Sequence, residues 1–257
     1  MALADSLNRL SKFSRAGNWV PFLELSIVYV LIYLLFLQDS AKHIYDFLIF
    51  IAYQASVLAY MCIINSVADL KIDSAVGKNF GVSYFPRRFV LLLLFILAFA
   101  MVFVPVIFGF APAVIGLAVF FLATFYSVGP VRLKAKGFAG VLAVSLAPVA
   151  MPFLLFVSIV SENVLFGIYL ASVLFLKTML NEAPHQIEDY GNDRKSGVKT
   201  WAVYAGKEKA RNFIRAVLVV YLLWLLLSFG FGPAAGLLVY SVTLILSLQK
   251  IITVARL

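Results

Sequence analysis

The stretch Asn65-Ser66-Val67-Ala68-Asp69-Leu70-Lys71-Ile72-Asp73 closes an apolar run that begins at residue 45. In a helix that continues through it, steps of four residues advance ~400°, so Asn65, Asp69 and Asp73 share one face with ~40° of drift per step. Carboxylates at the end of a membrane-length helix are costly and mark function. Two of them one turn apart form half a site for a hard divalent cation.

The rest of the chain supports the membrane reading. Of 257 residues, 63% are hydrophobic and only 13% charged. A soluble globular protein of this length has far more polar surface to cover. The apolar runs are continuous rather than alternating, which selects helices over a β-barrel. Eight are read, at about 19–37, 45–66, 88–108, 111–127, 138–159, 163–183, 211–229 and 232–249. The chain is thus expected to be all-α, a single polytopic transmembrane bundle over 1–257. Residues 1–18, with Arg9, Lys12 and Arg15 among Leu7, Leu10 and Phe13, read as an interfacial amphipathic segment. The single cysteine, Cys62, excludes an intramolecular disulfide.

Of the 21 Lys and Arg residues, all but Lys42 and Lys177 fall on one side of an eight-span alternation. The positive-inside rule puts that side in the cytoplasm, with both termini and the loops 66–87 and 184–210. The same rule explains the net charge of +9 without nucleic acid.

A second acidic motif, Asp189-Tyr190-Gly191-Asn192-Asp193, follows span six. Asp69 to Asp189 is 120 residues, as is Asp73 to Asp193, and the same offset carries Asn65 onto His185. Four spans separate the motifs, which implies a four-helix internal repeat around a central cavity. Two facing Asp pairs suit Mg²⁺ ions that keep waters and take phosphate oxygens, with a diphosphate as the bridging ligand. Lys78, Arg132, Lys134, Arg194, Lys195 and Lys199 stand beside the motifs as anion partners, or else only set topology. In span six Lys177, Asn181, His185 and Asp189 recur every four residues as a polar stripe, with Glu182 and Glu188 between them. Lys177 can equally snorkel or pair with a carboxylate. One histidine in this region makes zinc a poor fit.

These residues resemble the UbiA superfamily of intramembrane prenyltransferases. Asn65-x₃-Asp69-x₃-Asp73 and Asp189-x₃-Asp193-Arg194-x₂-Gly197-x₂-Thr200 look like its two motifs. Tyr126-Ser127-Val128-Gly129-Pro130-Val131-Arg132-Leu133-Lys134 is similar to its Tyr-x-x-x-Pro-x-Arg-x-Lys element, and Gly206 to Arg211 to its stretch before span seven. The resemblance implies a helical bundle whose cavity opens sideways to lipid. It implies Mg²⁺-dependent transfer of a prenyl group from an isoprenyl diphosphate to a small hydrophobic or aromatic, quinone-precursor-like acceptor. Carried over, Asn65, Asp69, Asp73, Asp189 and Asp193 hold Mg²⁺ and diphosphate, Arg132 and Lys134 contact the diphosphate, and Tyr126 lines the site. There are departures. The family usually has nine spans. Gln186 stands where the second motif often has another acid. An Arg-Pro pair after the first motif is missing, leaving Lys78 or Arg87 for its role. The alternatives are a membrane terpene cyclase of the same superfamily and an ion-coupled transporter. Transporters hold their coupling residues near the bilayer midplane, unlike these helix-end motifs.

Overall fold

The computed structural model describes residues 16–70, 74, 82–195 and 197–256. Asp73 and Lys78, and the amphipathic segment up to residue 15, lie outside the described residues. The long helices are α1 (Ala16–Leu35), α2 (Ile44–Ala68), α3 (Arg87–Val106), α4 (Phe110–Ser127), α5 (Phe138–Val160) and α6 (Val164–Glu188). Two short helices follow, α7 (Tyr190–Lys195) and α8 (Trp201–Ala205), then α9 (Lys207–Leu226) and α10 (Pro233–Arg256). Seven of them are long and apolar enough to cross a bilayer, and the apolar part of α1, Trp19–Leu35, is shorter. The eight expected spans are therefore all apolar helices, and the chain is an integral, multi-pass membrane protein.

The helix ends differ from the sequence reading in ways that shape the site. α2 is broken at Asp69 rather than running unbroken through the motif. It stops at Ala68, and Asp69 caps it with its N–H on the Asn65 carbonyl at 2.9 Å. The region expected as a loop over 184–210 is largely helical, because α6 continues through Pro184 to Glu188 and α7 and α8 follow. α10 likewise continues past 249, to Arg256.

The helix boundaries repeat. α2 and α6 both have 25 residues, and α3 and α9 both have 20. Each pair is offset by 120, from 44 to 164 and from 87 to 207. Asp189 caps α6 as Asp69 caps α2, with its N–H on the His185 carbonyl at 2.9 Å. The spacing of the acidic motifs is thus matched by the helices that carry them.

α5 and α6 are the central helices. Of their most apolar stretches 72% and 61% is buried, against 22% in α3 and α10, which face outward. Tyr33, Phe50, Phe153, Phe156 and Phe166 interlock α1, α2, α5 and α6, with ring centroids 5.2–6.4 Å apart. Hydrogen bonds between helices add to this packing, for water is not there to compete. Tyr29 meets Thr243 at 2.6 Å, and Tyr221 meets Ser247 at 2.7 Å. Gly116 in α4 lets α3 approach, since a Cβ there would lie 2.5 Å from Pro105 Cγ.

α5 contains one π-type turn, Leu146–Ala150. Pro148 has no N–H to donate, and the widened turn leaves carbonyls to be satisfied elsewhere. Gln54 Nε2 of α2 donates to the Pro148 carbonyl at 2.5 Å. At the opposite end of the bundle from the acidic motifs, Lys42 pairs with Glu162, joining the α1–α2 and α5–α6 connections. The Lys42 ammonium holds the Glu162 carboxyl below its ordinary range.

Candidate active site

The α4–α5 connection brings cations onto the first acidic motif. Lys134 Nζ donates to Asn65 Oδ1 at 2.8 Å and also to Asp69 Oδ2. Arg132 Nη2 donates to Asp69 Oδ1 at 2.8 Å. Ser127, the last residue of α4, donates to Asn65 Oδ1 at 2.7 Å. Arg132 occupies the left-handed region (φ +31°), a cost that persists only where surroundings fix it. Its ion pair with Asp69 supplies that constraint. A second constraint is Gly140, on the first turn of α5. A Cβ there would lie 2.8 Å from the Leu133 carbonyl oxygen and 2.9 Å from Lys134 Cα. The glycine therefore lets the segment carrying Lys134 lie directly on α5.

The second motif is anchored to the same connection. Gly137 donates its N–H to the Lys199 carbonyl at 3.1 Å. Thr200 then donates to Asp193 Oδ2 at 3.1 Å, and Gln186 Oε1 accepts the Trp201 N–H at 3.1 Å. Gln186, the departure from the acidic pattern, thus caps α8. Phe138, Trp201 and Phe213 pack together beneath this junction, with ring centroids 5.4–5.8 Å apart.

Between the motifs lies a cavity of about 650 Å³, of a size for a small ligand. Asn65 of α2, Tyr126 of α4, and Asn181, His185 and Asp189 of α6 all line it. Its apolar wall includes Phe22, Leu58, Met61 and Pro148. Tyr126 lies within electrostatic range of Asp69, Asp193 and Glu182, so it sits between the two motifs. Of the expected site residues, the structure joins Asp69, Arg132 and Lys134 to Asn65, which alone of the four lines the cavity, and sets Asn181, His185 and Asp189 along α6. Asp193, Arg194 and Lys199 do not line the cavity, and the last two are exposed. Lys177 turns away, donating to the Leu246 carbonyl at 2.9 Å and to Ser247 Oγ at 3.0 Å.

Three lining or supporting groups escaped assignment from sequence. Ser127 was hidden in the motif it closes. Glu182 was visible as a charge in an apolar helix, which is a signal in itself. Lys250 looked like a topology residue at the end of the last span, yet it lines the cavity.

The donors gathered here are carboxylate and amide oxygens, the ligand type of a hard cation such as Mg²⁺. Among the described residues, no three His, Cys, Asp or Glu side chains converge to enclose a metal. Mg²⁺, which keeps waters and shares substrate phosphates, suits such an open set of oxygens.

The profile of the UbiA prenyltransferase family matches residues 26–256. Among solved structures, a UbiA homologue from Archaeoglobus fulgidus bound to DMAPP and Mg²⁺ aligns with a TM-score of 0.74 at 19% identity, covering 96% of this chain and 87% of that one. The homologue from the same organism bound to GPP and Mg²⁺ gives 0.72 at 19%, covering 94% and 86%. Its Cd²⁺-bound form gives 0.70 at 19%, again over 94% and 86%. At these identities the structural likeness establishes the fold. A search of curated proteins returns no match.

Proposed function

Since the chain belongs to the UbiA prenyltransferase family, we propose that it transfers a prenyl group from an isoprenyl diphosphate to a small hydrophobic or aromatic acceptor within the membrane. The observation that carries this reading is the cavity, apolar along α1, α2 and α5 and rimmed by Asn65 and Asp189 from the two motif helices. The Archaeoglobus homologues, bound to DMAPP or GPP with Mg²⁺, support the substrate class and the metal.

In this mechanism Asn65, Asp69, Asp73, Asp189 and Asp193 would hold Mg²⁺, which neutralises charge on the leaving diphosphate. Arg132 and Lys134 exchange part of their contact with Asp69 for phosphate oxygens. Lys78, Arg194 and Lys199 serve as outer anion partners. The C1–O bond breaks, and its electron pair leaves with the diphosphate. Phe22, Leu58 and Met61 keep water from the allylic cation. The acceptor attacks C1, and the proton it loses passes to a carboxylate or to the released diphosphate. A quinone-precursor aromatic ring, electron-rich and flat, fits the acceptor role. The basic loops that carry this machinery, and both termini, face the cytoplasm by the positive-inside rule.

The test is to incubate purified protein with Mg²⁺ and geranyl diphosphate, and to measure pyrophosphate release with and without a panel of phenolic acceptors. Acceptor-dependent release is expected. Release with only cyclised prenyl product would make the protein a cyclase, and no release would sink the reading.

A further inference from the structure

We propose that Lys250, near the end of α10, is a phosphate-binding residue of the cavity and the counterpart of Lys134 in the second half of the repeat. This deepens the prenyl-diphosphate reading and rests on it. The 120-residue offset that relates α2 to α6 carries Asn65 onto His185 and Asp69 onto Asp189. The same offset carries α4, Phe110–Ser127, onto 230–247, of which 233–247 lies in α10. In the first half, a lysine just beyond α4 reaches back to Asn65, at 2.8 Å. In the second, the lysine three residues beyond the equivalent point reaches His185, with Nζ 3.5 Å from Nε2. Each motif helix is met at the equivalent side chain by an ammonium: from the connection after α4 in the first half, and from α10 itself in the second. The delivery differs, since α4 gives way to a loop and α10 runs on to Arg256.

The two ammonium groups differ in what they touch. Lys134 bonds the Asp69 carboxylate. No carboxylate oxygen of the described residues lies within 4.0 Å of Lys250 Nζ, whose hydrogen-bond partner is the imidazole. His185 Nδ1 lies 3.2 Å from Glu188 Oε2, so Nδ1–H donates there and Nε2 accepts from Lys250. Glu182 and Lys177 are within electrostatic range of Lys250. Lys177 is occupied by α10 itself, through the Leu246 carbonyl and Ser247. Lys250 therefore presents an ammonium to a cavity that it lines together with Asn65 and Asp189. Lysine binds phosphate as a compact point charge, and a partly apolar wall strengthens the attraction. A diphosphate, with charge on both phosphoryl groups, is the ligand that engages a lysine from each half. It arrives either on the prenyl substrate or as the released inorganic product, and both present the same oxygens.

The experiment measures binding of inorganic pyrophosphate with Mg²⁺ to the full-length protein in nanodiscs, by calorimetry. Lys250→Met should weaken binding about tenfold, the loss of one charge-assisted contact. Lys250→Arg should stay within about threefold of wild type, and Lys209→Met, which removes an exposed charge from the start of α9, should leave binding unchanged. The thermal transition of each variant confirms that it is folded. Equal binding by wild type and Lys250→Met overturns the proposal, as does equal weakening by Lys250→Met and Lys209→Met. Failure of the wild type to bind Mg²⁺ and pyrophosphate overturns the functional reading as well. Kinetics of Lys250→Met with geranyl diphosphate separate the two sources: a rise in KM reports the substrate, weaker inhibition by pyrophosphate reports the released product, and tighter inhibition overturns the proposal.

Discussion

Lys134 donates through Nζ to the side-chain oxygen of Asn65 at 2.8 Å, across 69 residues of sequence. That bond, with the Arg132–Asp69 pair beside it, fixes the α4–α5 connection against the end of α2. The cations expected to grip a diphosphate rest on the carboxylate expected to hold the metal. The arrangement places both partners of the proposed reaction site in one network.

Asp69→Asn removes a charge proposed to bind the metal and leaves Arg132 and Lys134 without their carboxylate. Pyrophosphate release should fall by at least about a hundredfold, as expected when an electrostatic group at the reacting centre is lost. Because the three side chains are only partly buried, the stability cost should be modest, about 1–2 kcal/mol, read from thermal unfolding in detergent. Full activity in this variant would remove Asp69 from the site.

Gly140→Val places atoms where the Leu133 carbonyl and Lys134 backbone now lie, both within 3.0 Å of a Cβ. The backbone of that connection must shift, moving Lys134 from Asn65. The expected result is a folded protein with kcat lowered about tenfold or more, since misplacement by about 1 Å is costly in catalysis. Unchanged kinetics would mean that the connection adjusts without moving Lys134.

Cys62 is the sole cysteine and lines the cavity wall between Leu58 and Asn65. Geranyl diphosphate with Mg²⁺ should slow its alkylation by N-ethylmaleimide, by about tenfold at a ligand concentration ten times Kd. Mass spectrometry of the intact protein follows the reaction directly. Equal rates with and without ligand would place the substrate elsewhere.

At the other end of the bundle, Glu162 is held below its usual carboxylate range by its hydrogen bond from Lys42, then by His43. A carboxylate with a lowered folded-state pKa stabilises the fold above its unfolded value of ~4.3, and that contribution is lost as pH falls through the lowered value. Wild type should therefore unfold at higher temperature than Glu162→Gln at pH 7, with the gap narrowing as the pH falls below ~4 and through the lowered value. High salt should narrow the gap at pH 7, because the pair is solvent-exposed. A gap that does not narrow on acidification would contradict the ionic origin.

Much of this protein was legible in its sequence. Continuous apolar runs force helices, because a bilayer offers nothing else to satisfy the backbone. Asn65, Asp69, Asp189 and His185 stand out because polar groups at the ends of such helices are rare and costly. The 120-residue spacing is a property of the chain alone, and the helix boundaries reproduce it. Arg132 and Lys134 were marked as anion partners by their motif.

The tertiary structure decided what spacing cannot encode. A helix end depends on local backbone geometry, so α2 stopping at Ala68 and α6 running through Pro184 required the fold. Whether a lysine is a topology signal, a helix clamp or a cavity group depends on which neighbours lie a few ångströms away. Lys177 was drawn into α10 by a carbonyl and a hydroxyl, and Lys250 was turned onto His185. The motif stretch from Asn65 reads, by its composition, as half of a site for a hard cation. Its present partners, Ser127, Arg132 and Lys134, are more than sixty residues away, and only packing brings them there.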